Sequence, residues 1–160
     1  MDEPSPPDAE RLRAICARFN AAPFYRLLGM EAGSDRPGAS RVRLPYSERL
    51  TQLYGGVHGG ALLALADAAI SIAVATTFTD EEANATVDVS MQFLAPAGPN
   101  AVLAEGTLHK RGKSMAFASA VLTAGGREVA RAQGVCHIGR LAKIARPDRL
   151  PGLQGDPDDA

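Results

Sequence analysis

The sequence predicts an α+β fold in which an antiparallel sheet wraps around one long central helix. Two observations carry this expectation. Residues 61–74 form an Ala- and Leu-rich run that is apolar on nearly every side, as in a buried helix. Four strand-like segments follow it in succession, joined by short Gly-containing links, and such an order favours hairpins over crossover connections.

Taken in order, Asp8 is placed to cap a short helix reaching Phe19, with Leu12, Ile15, Cys16 and Phe19 at helical spacing. Pro23 resets the chain, and residues 24–28 make a second turn before Gly29. Residues 30–35 and 40–46 read as strands separated by Arg36-Pro37-Gly38-Ala39, a turn signal. In the second of them Val42 and Leu44 alternate with Arg41 and Arg43, the pattern of a half-buried strand. A loop over 47–57 carries Gln52, Tyr54, Gly55 and Gly56, and the central helix is expected over 59–77. Strands are expected over 86–94, 101–110, 114–123 and 127–138, with Arg111-Gly112-Lys113 as a hairpin link and Gly125-Gly126 as the next turn. The chain divides into an N-terminal arm with its short helix (1–22), the main domain (23–139) and a flexible tail rich in Pro, Gly and Asp (140–160). Residues 1–7 are expected to be irregular and mobile.

Composition narrows the function. A chain of 160 residues fits one domain, and 17 basic against 18 acidic residues argue against a nucleic-acid binder driven by bulk charge. Cys16 and Cys136 lie far apart without disulfide or metal-type spacing, so no metal centre is expected. The start lacks the basic and apolar regions of a signal peptide, and the run over 61–74 is too short for a membrane span and is interrupted by Asp67. A cytoplasmic protein with no membrane partner is therefore expected. The edges of such a sheet need covering, and pairing with a second copy covers them, so a homodimer is expected.

Asp67 is the anomaly. A carboxylate in a buried helix is costly unless it is paired, hydrogen-bonded or protonated, and no fold requires one there. Pairing with a strand arginine is the structural alternative. Directly before the helix, His58-Gly59-Gly60 places two residues without side chains at its positive end, where backbone N–H groups lack helical partners. Such amides stabilise a developing oxyanion, and glycine lets a carbonyl approach the backbone closely. Asp67 can then attack the carbonyl carbon or activate a water. Nine residues along a helix separate His58 from Asp67 by about 13 Å and about 180°. The amides and the acid of one site must therefore come from different subunits.

The segment Gln52-x-x-Gly55-x-Val57-His58-Gly59-Gly60, with Asp67 nine residues after His58, resembles the active-site segment of hotdog-fold acyl-CoA thioesterases. The phenylacetic-acid-degradation (PaaI) type and its 4-hydroxybenzoyl-CoA relatives are the most similar group. The resemblance extends over residues 24–139 and includes Thr86 at the start of the strand after the helix and Pro96-Ala97 at that strand's end. It implies the hotdog fold, hydrolysis of an acyl-CoA to coenzyme A and free acid, and homodimers paired into a homotetramer. Coenzyme A would enter as part of the substrate, with no separate cofactor.

The resemblance also implies roles. Gln52 would position water or the thioester oxygen, while Ser71, one helical turn after Asp67, and Thr86 would orient the acid or the water. Lys110, Arg111, Lys113 and Ser114 would hold the phosphates of coenzyme A. Phe24, Tyr25 and Tyr54 would line the acyl pocket. Each has a plainer alternative: His58 as a helix cap, Ser71 bonded to its own turn, Gln52 bonded to loop backbone, and the basic residues as a solvated hairpin tip. His109 and His137 lie in strand patterns without matching ligands and read as structural. The competing function is a non-catalytic acyl-CoA or acyl-carrier binding protein of the same fold, which would have no need of the buried acid. A hydratase is disfavoured by the lack of an Asp-x-Asn segment leading to a histidine.

Overall fold

The structure, a computed structural model, describes residues 9–144. The expectations for residues 1–8, including the Asp8 cap, and for the tail beyond 144 fall outside these residues. Six antiparallel strands form one sheet: β1 (Glu31–Gly33), β2 (Ala39–Leu44), β3 (Glu82–Phe93), β4 (Val102–Arg111), β5 (Met115–Ala124) and β6 (Arg127–Arg140), in the order β1-β2-β4-β5-β6-β3. Helix α3 (Gly59–Ala75) lies across one face and touches five of the six strands, β2 to β6. This is the hotdog fold, a sheet wrapped around one apolar helix.

Helix α3 forms because eleven of its seventeen residues are buried Ala, Leu, Ile or Val. Small side chains also let it sit close to the sheet. The Ser40 hydroxyl on β2 donates 2.6 Å to the Ala69 carbonyl, and Gly106 on β4 lies beneath that same carbonyl. A Cβ at Gly106 would strike the Ala69 carbonyl oxygen and the Ser40 Oγ, so close helix–sheet packing requires glycine here. The helix ends as Thr76 turns its hydroxyl back to the Ala73 carbonyl at 2.6 Å and accepts the Gly38 N–H at 2.8 Å. No helix among the described residues is long and apolar enough to cross a membrane.

Helix α1 (Ala9–Ala21) buries Leu12 and Cys16 and is fastened to the sheet at two points. Asn20 exchanges two hydrogen bonds with the Ala32 backbone, at 3.1 and 2.7 Å, which satisfies the free edge of β1. Arg11 donates to the Phe78 carbonyl at 2.8 Å and to Asp80 at 2.9 Å. Helix α2 (Pro23–Leu28) starts on its proline and stops at Gly29, whose φ of 69° is the left-handed conformation that glycine adopts without strain.

The two strands before α3 are shorter than the sequence pattern suggests. β3 differs in the other direction: it begins at Glu82, not Thr86. Its first residues, Glu-Ala-Asn-Ala, have low β-propensity, but they pair with the end of β6 from Arg140 to His137. β6 runs to Arg140 and passes into the single turn α4 (Leu141–Ile144), held by the Leu141 N–H on the Glu81 carbonyl at 2.7 Å, so regular structure extends past 139.

β3 carries a bulge. Thr86 pairs with Cys136 and Asp88 with Val135, which leaves Val87 unpaired. Before the bulge, Asn84 and Thr86 point to α3; after it, Val89 and Met91 pack against the core and Phe93 lies against Gly59.

Candidate active site

Asp67 is half-buried on α3 and points to β3, where the Thr86 hydroxyl donates to its Oδ1 at 2.7 Å. Among the described residues no ion pair reaches Asp67, so the strand-arginine alternative does not hold. One carboxylate oxygen is held by Thr86, and the other has no hydrogen bond among the described residues. One turn along the helix, Ser71 is engaged by Asn84, whose Nδ2 donates to the Ser71 Oγ at 2.9 Å and to its carbonyl at 3.1 Å. The structure thus brings together Asp67, Ser71 and Thr86 of the residues expected from the sequence, and adds Asn84.

Two further groups face the acid. Cys136 pairs with Thr86 across β6 and β3 and is fully buried. Burial pushes its thiol up; contacts with Asn84 and Thr86 pull the other way, and the negative charge of Asp67 adds to the rise. The thiol therefore stays protonated and is no thiolate nucleophile. Burial, and then the charge of Asp67, also push the Tyr25 hydroxyl well up, so Tyr25 remains a phenol beside the acid. Its ring lies 5.7 Å from that of Phe19. Phe24 and Tyr54, grouped with Tyr25 from the sequence, are more than half exposed.

At the head of α3 the expectation of two bare amides needs correcting. His58 is the helix cap, and its Nδ1 accepts the Gly60 N–H at 2.8 Å. A side chain with a ring nitrogen two residues upstream can reach that amide as a serine or aspartate would. Among the described residues the Gly59 N–H has no such partner, and the Phe93 ring stands 3.3 Å from where a Gly59 Cβ would be. The loop before it is held by its own backbone: Val57 N–H donates to the Ala97 carbonyl at 2.9 Å and His58 N–H to the Leu50 carbonyl at 2.7 Å. Gln52 turns its Oε1 to the Tyr54 N–H and so serves the loop turn.

The basic hairpin is split. Lys110, Lys113 and Ser114 are exposed at the tip between β4 and β5. Arg111 is engaged within the chain. Its guanidinium donates to both oxygens of Glu82, at 2.6 and 2.7 Å, to the Thr77 carbonyl and hydroxyl, and lies 5.6 Å from the Phe78 ring centre. Burial pushes the Glu82 carboxyl up, but the Arg111 hydrogen bond, the Thr79 amide and the Arg111 charge outweigh it and hold the group below its ordinary value. His109 is paired with the Ser119 hydroxyl at 2.6 Å.

Of the site, Asn84 and Cys136 escaped the sequence. Asn84 precedes residue 86, where the sequence pattern starts the strand, and Cys136 carries no spacing signal. The signal that could have found Cys136 is its cross-strand register with Thr86.

Comparison with known proteins agrees with the fold. Residues 54–130 match the thioesterase superfamily model. A Pseudomonas aeruginosa protein named provisionally as an esterase is 34% identical over 122 residues, which cover 75% of this chain and 91% of that one. The Escherichia coli PaaI protein of the phenylacetic acid degradation operon superposes with a TM-score of 0.74 at 20% identity, covering 81% of this chain and 94% of that one. A thioesterase from Haemophilus influenzae gives 0.76 at 18%, covering 84% and 94%. The chain belongs to the thioesterase superfamily, and it is a thioester hydrolase with the hotdog fold.

Proposed function

We propose that the protein hydrolyses acyl-CoA thioesters, with the Asp67 carboxylate as nucleophile or general base and the Gly59 amide as an oxyanion donor. The observation that carries this reading is the state of Asp67. It is an acid in an apolar helix, paired with no cation among the described residues, with one oxygen fixed by Thr86 and the other left for chemistry. A carboxylate so oriented can attack the thioester carbon, or take the proton of an attacking water, as charge develops on the carbonyl oxygen. Gly60 joins the oxyanion site only if His58 releases its amide. Coenzyme A enters and leaves as part of the substrate, and no separate cofactor is invoked.

Gly59 and Asp67 are eight residues apart on one continuous helix, about 12 Å in rise. One carbonyl cannot touch both. The edge strand β3 supports a composite site. Thr86 marks the end of β3 beside Asp67, and Phe93 marks the end beside Gly59. Val87 and Phe93 on this edge are 62% and 57% exposed. If two copies pair antiparallel through β3 about an axis near Val89 and Ser90, Thr86 stands opposite Phe93 of the partner subunit. Asp67 then meets Gly59 of the partner subunit across the joint. On this reading the working unit is a homodimer, and pairing of dimers into a tetramer is compatible with it. Lys110 and Lys113 remain the basic residues proposed to meet the phosphates of coenzyme A. A cytoplasmic setting suits a coenzyme A ester as substrate.

The experiment is thiol release from a panel of acyl-CoA esters. Asp67→Ala should abolish turnover while the protein remains folded and of unchanged size; wild-type rates in that variant would refute the mechanism. Mixing Asp67→Ala with Gly59→Pro should recover activity in mixed dimers, and no recovery despite proven subunit exchange would refute the composite site.

A further inference from the structure

The Asn84 carboxamide on β3 bridges two atoms of Ser71, one helical turn after Asp67. Its Nδ2 donates to the Ser71 Oγ at 2.9 Å and to the Ser71 carbonyl at 3.1 Å. A backbone carbonyl can only accept, so the NH2 end of the carboxamide must face Ser71, and both of its protons are used there. The Ser71 hydroxyl is therefore the acceptor in this pair, and its own proton is left over. A helical hydroxyl ordinarily turns back to a carbonyl of the preceding turn. Thr76 and Thr77, at the end of the same helix, do so at 2.6 and 2.8 Å, to Ala73 and Val74. Ser71 makes no such bond, and among the described residues its hydroxyl donates to nothing.

Residues four apart share a helix face, so the Ser71 hydroxyl and the Asp67 carboxylate are neighbours across one turn. No hydrogen bond joins them directly among the described residues. An oxygen placed between them can accept from Ser71 and donate to the unbonded oxygen of Asp67. The thioester carbonyl oxygen belongs at the Gly59 amide, which leaves this place to a water. We infer that Asn84 is a positioning residue for the hydrolysis: it occupies the acceptor side of the Ser71 Oγ, so that the hydroxyl serves as a donor to the water that attacks beside Asp67. This rests on the thioesterase reading. Without the amide, the hydroxyl is free to rotate back onto the carbonyl of Asp67, four residues before it, and the water loses its donor. Asn84 reaches Ser71 because β3 is paired that far, to Ile138 of β6, and because the bulge comes only after Thr86. One stretch of edge strand thus supplies Thr86 to the acid and Asn84 to the serine.

The test is a double-mutant cycle on the full-length protein, read by thiol release from the acyl-CoA ester that the wild type hydrolyses fastest. Asn84→Leu keeps the branched shape of the side chain and removes its donors. Asn84→Leu and Ser71→Ala should each lower kcat about tenfold, with KM changed by less than about twofold. Because Asn84 acts through Ser71, the double variant should be slower than either single one by no more than about twofold. A strut that merely ties strand to helix would cost the same in both backgrounds. Additive losses, about a hundredfold in the double variant, therefore overturn the proposal, and so does wild-type kcat in Asn84→Leu. If Asn84→Leu does not fold, as judged by circular dichroism and size, Asn84→Ala completes the cycle. A wild type that releases thiol from no ester refutes the thioesterase reading and this proposal together, whereas an active wild type with additive losses refutes this proposal alone.

Discussion

The Thr86 hydroxyl donates to Asp67 Oδ1 at 2.7 Å, a link from the edge strand to the middle of the helix that fixes one oxygen of the acid. A hydrogen bond to a charged group is worth about 1.5–3 kcal/mol. Thr86→Val keeps the shape and removes the donor, so kcat should fall by about 10- to 100-fold with little change in KM. Thr86→Ser should retain most of the rate. Steady-state kinetics on one acyl-CoA ester checks both.

His58 caps α3 through Nδ1. Removing a cap costs about 1 kcal/mol, so His58→Ala should lower the unfolding free energy by that amount in a denaturant titration. Asn is a strong cap, and His58→Asn should restore both stability and turnover. Restored stability without turnover would give the imidazole a chemical part.

The Glu82–Arg111 pair joins β3 to the β4–β5 hairpin, and both side chains are more than two-thirds buried. Glu82 ionises below its ordinary value of 4.5 in the folded protein, so its pairing contributes stability at neutral pH that disappears as the pH falls through the lowered value. Glu82→Gln should cost about 1–2 kcal/mol near neutrality. The gap in Tm between wild type and variant should close as the pH drops below 4.5.

Gly106 supports the closest approach of sheet to helix. A Cβ there would stand 2.8 Å from the Ala69 carbonyl carbon, which is backbone and has no rotamer to yield. Gly106→Ala should therefore destabilise by about 3 kcal/mol or more, seen as a lower Tm with the circular dichroism of the folded state retained at low temperature.

The helix and its acid were legible in the sequence because an Ala/Leu run with one carboxylate has few other readings; 59–77 was expected and Gly59–Ala75 is observed. Ser71 was legible because it stands one helical turn after Asp67, and Thr86 through the family resemblance. Asn84 was not, since the Ala residues on either side give no strand signal and only tertiary pairing with β6 extends β3 that far. The pairing of Arg111 with Glu82 was not legible for the same reason. A basic residue beside a hairpin glycine reads the same whether it meets solvent or a carboxylate 29 positions away. The His58 cap was among the readings left open, and the choice needed the ring orientation.

The unpaired Val87 works as a phase shifter in β3. Side chains alternate along a strand, so an uninterrupted β3 that kept Asn84 and Thr86 inward would turn Asp88, Ser90 and Gln92 onto the helix and send Val89, Met91 and Phe93 outward. One extra residue lets a single strand present hydroxyl and amide to the acid in its first half and oily side chains to the helix in its second. Straightening the strand with Val87 still in it would force the protein to give up one half or the other. Chemistry and cohesion are thus set in step by a residue that takes part in neither.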